Sequence, residues 1–245
     1  MQGDFYDKIY FMSTRKEFIT VLILRTIGNF LILSSLFLIV KTFYQPVTQE
    51  IRYFVERKLN KQYIVSKPQD IISPLIVEKQ PSRSLLASLL NIQPVEVMTP
   101  EDPSFSIVIP KIGANARVLS NIDASDEKMY LTALQNGVAH TLGTAFPDEG
   151  GHIFLFAHST DYFWNVGTYN AVFYLLDKLD VGDEINLFYQ NKRIVYNMIG
   201  KRIVEPSQVE YLTRKTNKEF LTLQTCWPAG TTLRRLLIFA QRVAD

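Results

Sequence analysis

Cysteine is almost missing from this chain: one residue in 245, Cys226. A single thiol cannot form an internal disulfide. Histidine is nearly as scarce, with only His140, His152 and His158. Together these counts exclude four-ligand zinc sites of the finger type. An excess of one charge is also lacking. The 26 basic and 24 acidic residues leave a formal charge of +2, which gives no electrostatic reason to expect a nucleic acid as partner. Internal repeats are absent. With 47% hydrophobic and 20% charged residues, the chain is not a disordered polyampholyte, a collagen or a low-complexity protein. What is left is a chain long enough for one ordinary domain plus appendages. Its solitary thiol is either idle or essential.

The apolar residues are concentrated at the N-terminus. Phe18 to Val40 reads FITVLILRTIGNFLILSSLFLIV. At 1.5 Å per residue these give roughly 34 Å of helix, enough for a hydrocarbon core of about 30 Å. Arg25 is costly in mid-membrane, so the span slides to Thr26–Tyr44 or lets Arg25 snorkel. A cleaved signal peptide and a buried core helix are the rivals. The following KTFYQPVTQE has no small-x-small cleavage site, which favours an uncleaved anchor over residues 18–44. Orientation is not decided by charge, because Lys8, Arg15 and Lys16 precede the span and Lys41, Arg52, Arg57 and Lys58 follow it.

Beyond the anchor, Val47, Ile51, Phe54, Val55 and Leu59 continue a helical spacing over Gln45–Asn60. Then Pro68, Pro74, Pro81, Pro94, Pro100 and Pro103 supply six of the eleven prolines. Residues 45–104 therefore read as a stalk, with a proline-stiffened linker from Gln62 and one short helix around Ser84–Leu90. From residue 105 the texture changes. Strands are expected at Phe105–Ile109, Arg117–Leu119, His152–Ala157, Glu184–Tyr189, Arg193–Val204, Phe220–Thr225 and Arg235–Val243. Helices are expected at Asp126–Gln135, capped by Asp123 or Ser125, and at Ala171–Leu179. Many short strands with few helices predict a mainly β domain, a closed or half-closed barrel, rather than a βαβ sheet.

Three positions could carry chemistry. Cys226 ends the run LTLQTC and is followed by Trp227-Pro228, so the thiol sits where a strand gives way to a loop. A strand end is a rigid mount with an open side, although most lone thiols are inert packing. His158 ends HIFLFAHS, and as an acid or base it would suit a thiol. His152 shares its face by alternation but lies about 20 Å away, and His140 falls in a loop-like GVAHTLGTAFP. Arg234 and Arg235 open the last strand, and a fixed cation there would lower a thiol pKa or steady an oxyanion. Each feature taken singly also has a bland reading as packing or as a solvated edge.

Taken together they resemble the sortases, the membrane-anchored cysteine transpeptidases of bacterial surfaces. The family signature TLxTC stands as Thr222-Leu223-Gln224-Thr225-Cys226. Ala157-His158 ends an apolar strand, and Arg235 lies nine residues beyond Cys226 at the head of another. NGVAHTLGTAFPDEGG and Ile109-Pro110-Lys111-Ile112 are similar to family segments as well. Asp102-Pro103-Ser104-Phe105 is similar to the Asp-Pro-aromatic lid of pilin-polymerising members, with the aromatic displaced.

The resemblance implies an eight-stranded sortase-type barrel over residues 105–245, with Cys226, His158 and Arg235 catalytic and Thr225 helping to position the substrate; Arg234 remains open as the alternative arginine. It further implies cleavage of an LPxTG-like sorting signal through a thioester. The acyl group then passes to an amine of a cell-wall precursor or a pilin lysine. No cofactor is implied, and no acidic cluster compels calcium. The implied location is the cell membrane, single-pass, with residues 1–17 cytoplasmic and the barrel outside. Two other classes stay open: a hydrolytic cysteine peptidase, and a non-catalytic membrane-anchored domain that binds an envelope partner. A thiol of lowered pKa, alkylated well below pH 8, would separate the catalytic classes from the last.

Overall fold

In the computed structural model, residues 15–59, 61–66, 95–159 and 171–244 are described. Helix α1 runs from Arg15 to Lys58. Up to Gln45 the chain is a compact unit of its own, and from Pro46 onward it belongs to a second unit. In the first unit the apolar side chains from Phe18 to Tyr44 are largely exposed, for example Phe30 at 67% and Leu33 at 65%. A helix that is apolar all round and unburied is suited to lipid. Among the described residues it is the one helix long and apolar enough to cross a membrane.

The second unit is built on strands. β1 (Gln62–Val65) and β2 (Val95–Met98) pair in parallel as a separate two-stranded sheet. Eight further strands close a barrel: β3 (Phe105–Ile109), β4 (Ala114–Ile122), β5 (Val138–Thr141), β6 (His152–Phe156), β7 (Glu184–Tyr189), β8 (Lys192–Val204), β9 (Phe220–Trp227) and β10 (Arg234–Arg242). Their order around it is β10-β8-β7-β3-β4-β5-β6-β9, and β9 returns to β10. Closure leaves no barrel edge unpaired, and that limits edge-to-edge aggregation. Alternating residues of each strand fill the interior, among them Ile107, Ile153, Leu155, Ile185, Leu187, Leu221, Leu223 and Ile238.

Local chemistry accounts for most of these elements. Between β4 and β5 lies helix α2 (Glu127–Leu134). Its N-cap is Asp126, whose carboxylate accepts from the Met129 N–H at 3.0 Å. The expected cap Asp123 instead closes its own turn on the Ser125 N–H at 2.8 Å. Both short side chains can satisfy backbone donors, and spacing alone does not rank them. β7 and β8 are joined by the two-residue turn Gln190-Asn191, both at positive φ as a hairpin of this length demands. Gly137, just before β5, must be glycine, because a Cβ there would meet the Arg117 carbonyl oxygen at 2.5 Å.

The structure departs from the sequence expectations at five further places. β4 runs over Ala114–Ile122, well beyond the expected Arg117–Leu119. His140 lies on β5, not in a loop, with all four residues of that strand buried. A strand buried on both faces shows no alternation to read. The helix expected over Ala171–Leu179 reduces to a 3-10 turn at Leu176–Lys178. Phe173, Leu175, Leu176 and Leu179 are all buried there, and a short tight turn is enough to bury them. The stretch expected as a stalk contains β1 and β2, and Val65 packs on Val108 and Phe188 of the barrel. Their partnership joins segments about 30 residues apart and leaves no local signal. Phe105 is 4% exposed and sits in an aromatic cluster with His140, Phe146 and Tyr189, so it is a core residue and not a lid aromatic. The helix expected around Ser84–Leu90 lies outside the described residues.

A charged network ties one end of the barrel. Arg242 bonds Asp148 at 2.8 Å and Glu219 at 3.1 Å, Lys192 bonds Asp148 at 2.9 Å, and the Tyr196 hydroxyl donates to Glu219. Glu219 is nearly buried, and these donors replace the water its carboxyl oxygens lose. Opposite this end, at the C-terminal ends of β6 and β9, the sequence-predicted residues gather.

Candidate active site

The parallel ladder of β6 and β9 pairs His152 with Phe220, Phe154 with Thr222 and Phe156 with Gln224. It continues past β6, where the Ala157 N–H donates to the Gln224 carbonyl at 3.1 Å. His158 follows Ala157 directly, two residues past the end of β6. On the other side of β9, the antiparallel ladder with β10 pairs Cys226 directly with Arg235. Neighbouring strands are about 4.8 Å apart. Cys226 and Arg235 therefore lie side by side on β9 and β10, and His158 comes just past the end of β6 on the other flank of β9, so the three make a row along that end of the barrel. Paired residues share a face of the sheet, so the Cys226 and Arg235 side chains leave the backbone on the same side.

The register also separates the two arginines. Arg234 pairs with Trp227, alternates to the opposite face and makes a salt bridge to Glu205 at 3.2 Å. Arg235 stays with Cys226. Its guanidinium donates to the carbonyls of Thr232 at 3.0 Å and Arg234 at 3.1 Å, which steady it over the loop that follows Cys226. All three members of the row are half-buried.

Thr225 lies on the face opposite Cys226. It is 4% exposed, and its hydroxyl donates to the Ala157 carbonyl at 3.0 Å. That bond links β9 to the residue just before His158. The other signature threonine, Thr222, is hydrogen-bonded to His152 Nε2 at 2.9 Å. His152 and His140 are buried, and neither belongs to the row. His140 Nδ1 accepts from the Asn121 N–H at 3.3 Å, and its Nε2 lies 3.0 Å from the Ala145 carbonyl. Burial lowers the pKa of both histidines.

Burial pushes the Cys226 thiol up from its ordinary value, and the Arg235 charge pulls it partly back. The low-pKa thiol, alkylated well below pH 8, that would mark the catalytic classes is not what these surroundings favour, because burial outweighs the Arg235 charge. Because Arg235 favours the thiolate, Arg235→Gln is expected to move the pH midpoint of iodoacetamide modification of Cys226 further up. Arg235→Lys, which keeps a charge, should move it less. A midpoint unchanged by Arg235→Gln, read by mass spectrometry across pH 6–10, would refute the electrostatic coupling.

The sortase domain model matches residues 107–243, more than half of the chain. Sortase D of Bacillus subtilis (strain 168) is 30% identical over 138 residues, which cover 55% of this chain and 61% of that protein. Among solved structures, sortase C1 of GBS pilus island 1 is 28% identical, with 58% of this chain and 64% of that one covered and a TM-score of 0.48. Sortase C-1 from Actinomyces oris is 28% identical, with 59% and 76% covered and a TM-score of 0.49. The match thus spans less than two thirds of the Bacillus relative and of the GBS protein. With the barrel's closed strand order and the residues 107–243 that match the family, the chain belongs to the sortases.

Proposed function

We propose that the protein is a membrane-anchored cysteine transpeptidase acting on a sorting-signal peptide. What supports this reading is the pairing of Cys226 with Arg235, flanked by the strand that leads into His158. Cys226, as thiolate, attacks the carbonyl of the threonine–glycine bond in an LPxTG-like signal. The C–N bond breaks as the thioester forms, and His158 supplies the proton that the departing amine needs. Arg235 steadies the oxyanion of the tetrahedral intermediate. A second amine, from a cell-wall precursor or a pilin lysine, then attacks the thioester, and the thiolate leaves. The acyl energy is kept in the thioester, so no ATP is consumed. Thr225 serves the site from behind by tying β9 to Ala157.

In this reading residues 18–44 anchor the protein in the cell membrane, residues 1–17 are cytoplasmic, and the barrel meets its substrates outside. Burial disfavours the Cys226 thiolate, so turnover is expected to rise as pH increases through the titration of the thiol.

The test uses the full chain in detergent micelles. It is offered a sorting-peptide library degenerate around threonine–glycine, with and without a panel of amines, and products are read by mass spectrometry. The expected product is an amide joining the acyl fragment to an added amine. Product found only as free acid would make the protein a hydrolytic peptidase. No cleavage of any peptide would favour a non-catalytic envelope-binding domain.

A further inference from the structure

The connection from β8 to β9, Glu205–Glu219, has an unusual path to cover. β8 ends at Val204, which pairs with Arg235 at the head of β10. β9 begins at Phe220, which pairs with Gln241 near the tail of β10. The 15 connecting residues must therefore run back along β10, from the Cys226–Arg235 row to the far end of the barrel. Glu205 meets Arg234 on the opposite face, and by Tyr211 and Arg214 the strap has crossed to the face that carries the row. By alternation Phe220, Thr222, Gln224 and Cys226 share that face with Arg235, Leu237 and Phe239.

The strap is fastened at three points. At its start Glu205 holds Arg234 at 3.2 Å, directly beside Arg235. In its middle the Tyr211 ring lies 6.0 Å from Phe239, and its hydroxyl accepts from Arg202 Nη1 at 2.9 Å. At its return the Arg214 guanidinium stands 4.9 Å from the centre of the Phe220 ring and 5.5 Å from that of Phe239. These two rings are 5.9 Å apart, so the cation covers an aromatic pair that spans β9 and β10. A guanidinium is planar and weakly hydrated, and it stacks on such a pair better than an ammonium does.

We propose that Arg214 is a positioning residue for substrate binding, and that it acts by clamping the Glu205–Glu219 strap onto Phe220 and Phe239. Arg214 itself lies at the far end from Cys226 and touches no reacting atom. Its effect reaches the site through the strap, whose first residue is bonded to the neighbour of Arg235. A clamped strap presents one fixed border to a peptide lying over the Cys226 face. A released one must be ordered each time a peptide binds, and that ordering weakens binding without touching the chemistry. This inference rests on the transpeptidase reading for its kinetic consequence, but not for the clamp.

The experiment compares the full wild-type chain in detergent with Arg214→Ala and Arg214→Lys. A cation–π contact at an exposed site corresponds to roughly a twofold to fivefold effect on an equilibrium. Arg214→Ala is expected to raise KM for a cleaved sorting peptide by about that factor and leave kcat within about twofold. Arg214→Lys should recover part of the loss. Amide hydrogen exchange across Glu205–Glu219 should quicken in Arg214→Ala while β9 and β10 keep their protection. In a double-mutant cycle, Phe239→Leu should add little to Arg214→Ala. Unchanged exchange over the strap, or a fall in kcat at constant KM, would overturn the proposal. If the wild type cleaves no peptide, the transpeptidase reading fails, and the exchange and cycle data still decide the clamp.

Discussion

Cys226→Ala is expected to abolish peptide cleavage and acyl transfer while leaving the barrel folded. Removal of a covalent nucleophile leaves no path through the thioester, so a loss of at least ~10³-fold in kcat is expected. The fold should hardly respond. Cys226 is half-buried at the open end of β9, and its backbone hydrogen bonds to β10 do not depend on the side chain. A change within about 1 kcal/mol is the ordinary outcome at such a position. Two measurements together decide the matter: turnover of a sorting peptide, and urea unfolding of the same preparation. Residual activity within tenfold of wild type would exclude Cys226 as the nucleophile. Loss of activity together with unfolding would leave its role to be read from Cys226→Ser, which preserves the shape.

Acidification is expected to cost the fold stability well above the range where carboxylates titrate. His152 is 6% exposed, and its Nε2 is taken by Thr222. Burial, with a smaller contribution from the Arg214 charge, holds its pKa down at about 4. In the unfolded chain it would titrate near ~6.5. The unfolded state therefore binds a proton that the folded state refuses, and stability falls as pH drops from about 6.5 toward 4. At about 1.4 kcal/mol per pH unit this single group removes roughly 2 to 3 kcal/mol between pH 7 and 4.5. His140, also lowered by burial, acts in the same direction. Asp148, whose pKa is lowered by Lys192 and Arg242, loses its contribution only at lower pH. Urea unfolding at pH 7 and 4.5 measures the slope. His152→Gln, which keeps a polar partner for Thr222, should flatten it. An equal slope in wild type and His152→Gln would show that the acid sensitivity lies elsewhere.

How much of this was legible in the amino-acid order varies with the range of the signal. β3 and β7 were readable to the residue, and β6, β8, β9 and β10 to within one or two. Their alternation and their Gly, Pro and Asn punctuation are local. β5, buried on both faces, and the β1–β2 pair, joined across some 30 residues, carried no such mark. Arg214 was not singled out at all, because one arginine in a polar loop looks like any other until the loop is seen to cross Phe220 and Phe239.

Sequence by itself determined the family resemblance, an apolar run long enough for an anchor, and the choice of Cys226, His158 and an arginine at 234 or 235 as candidates. These are facts of residue type and order along single segments, and a strand end is visible from either side of it. Only the tertiary structure decided which arginine faces the thiol, that Thr225 turns its hydroxyl to Ala157, and that the thiol's pKa is raised. Side-chain direction follows from the register between strands, and a pKa follows from how much water and charge surround the group. Both are properties of chains brought together, and neither is written in any one stretch of residues.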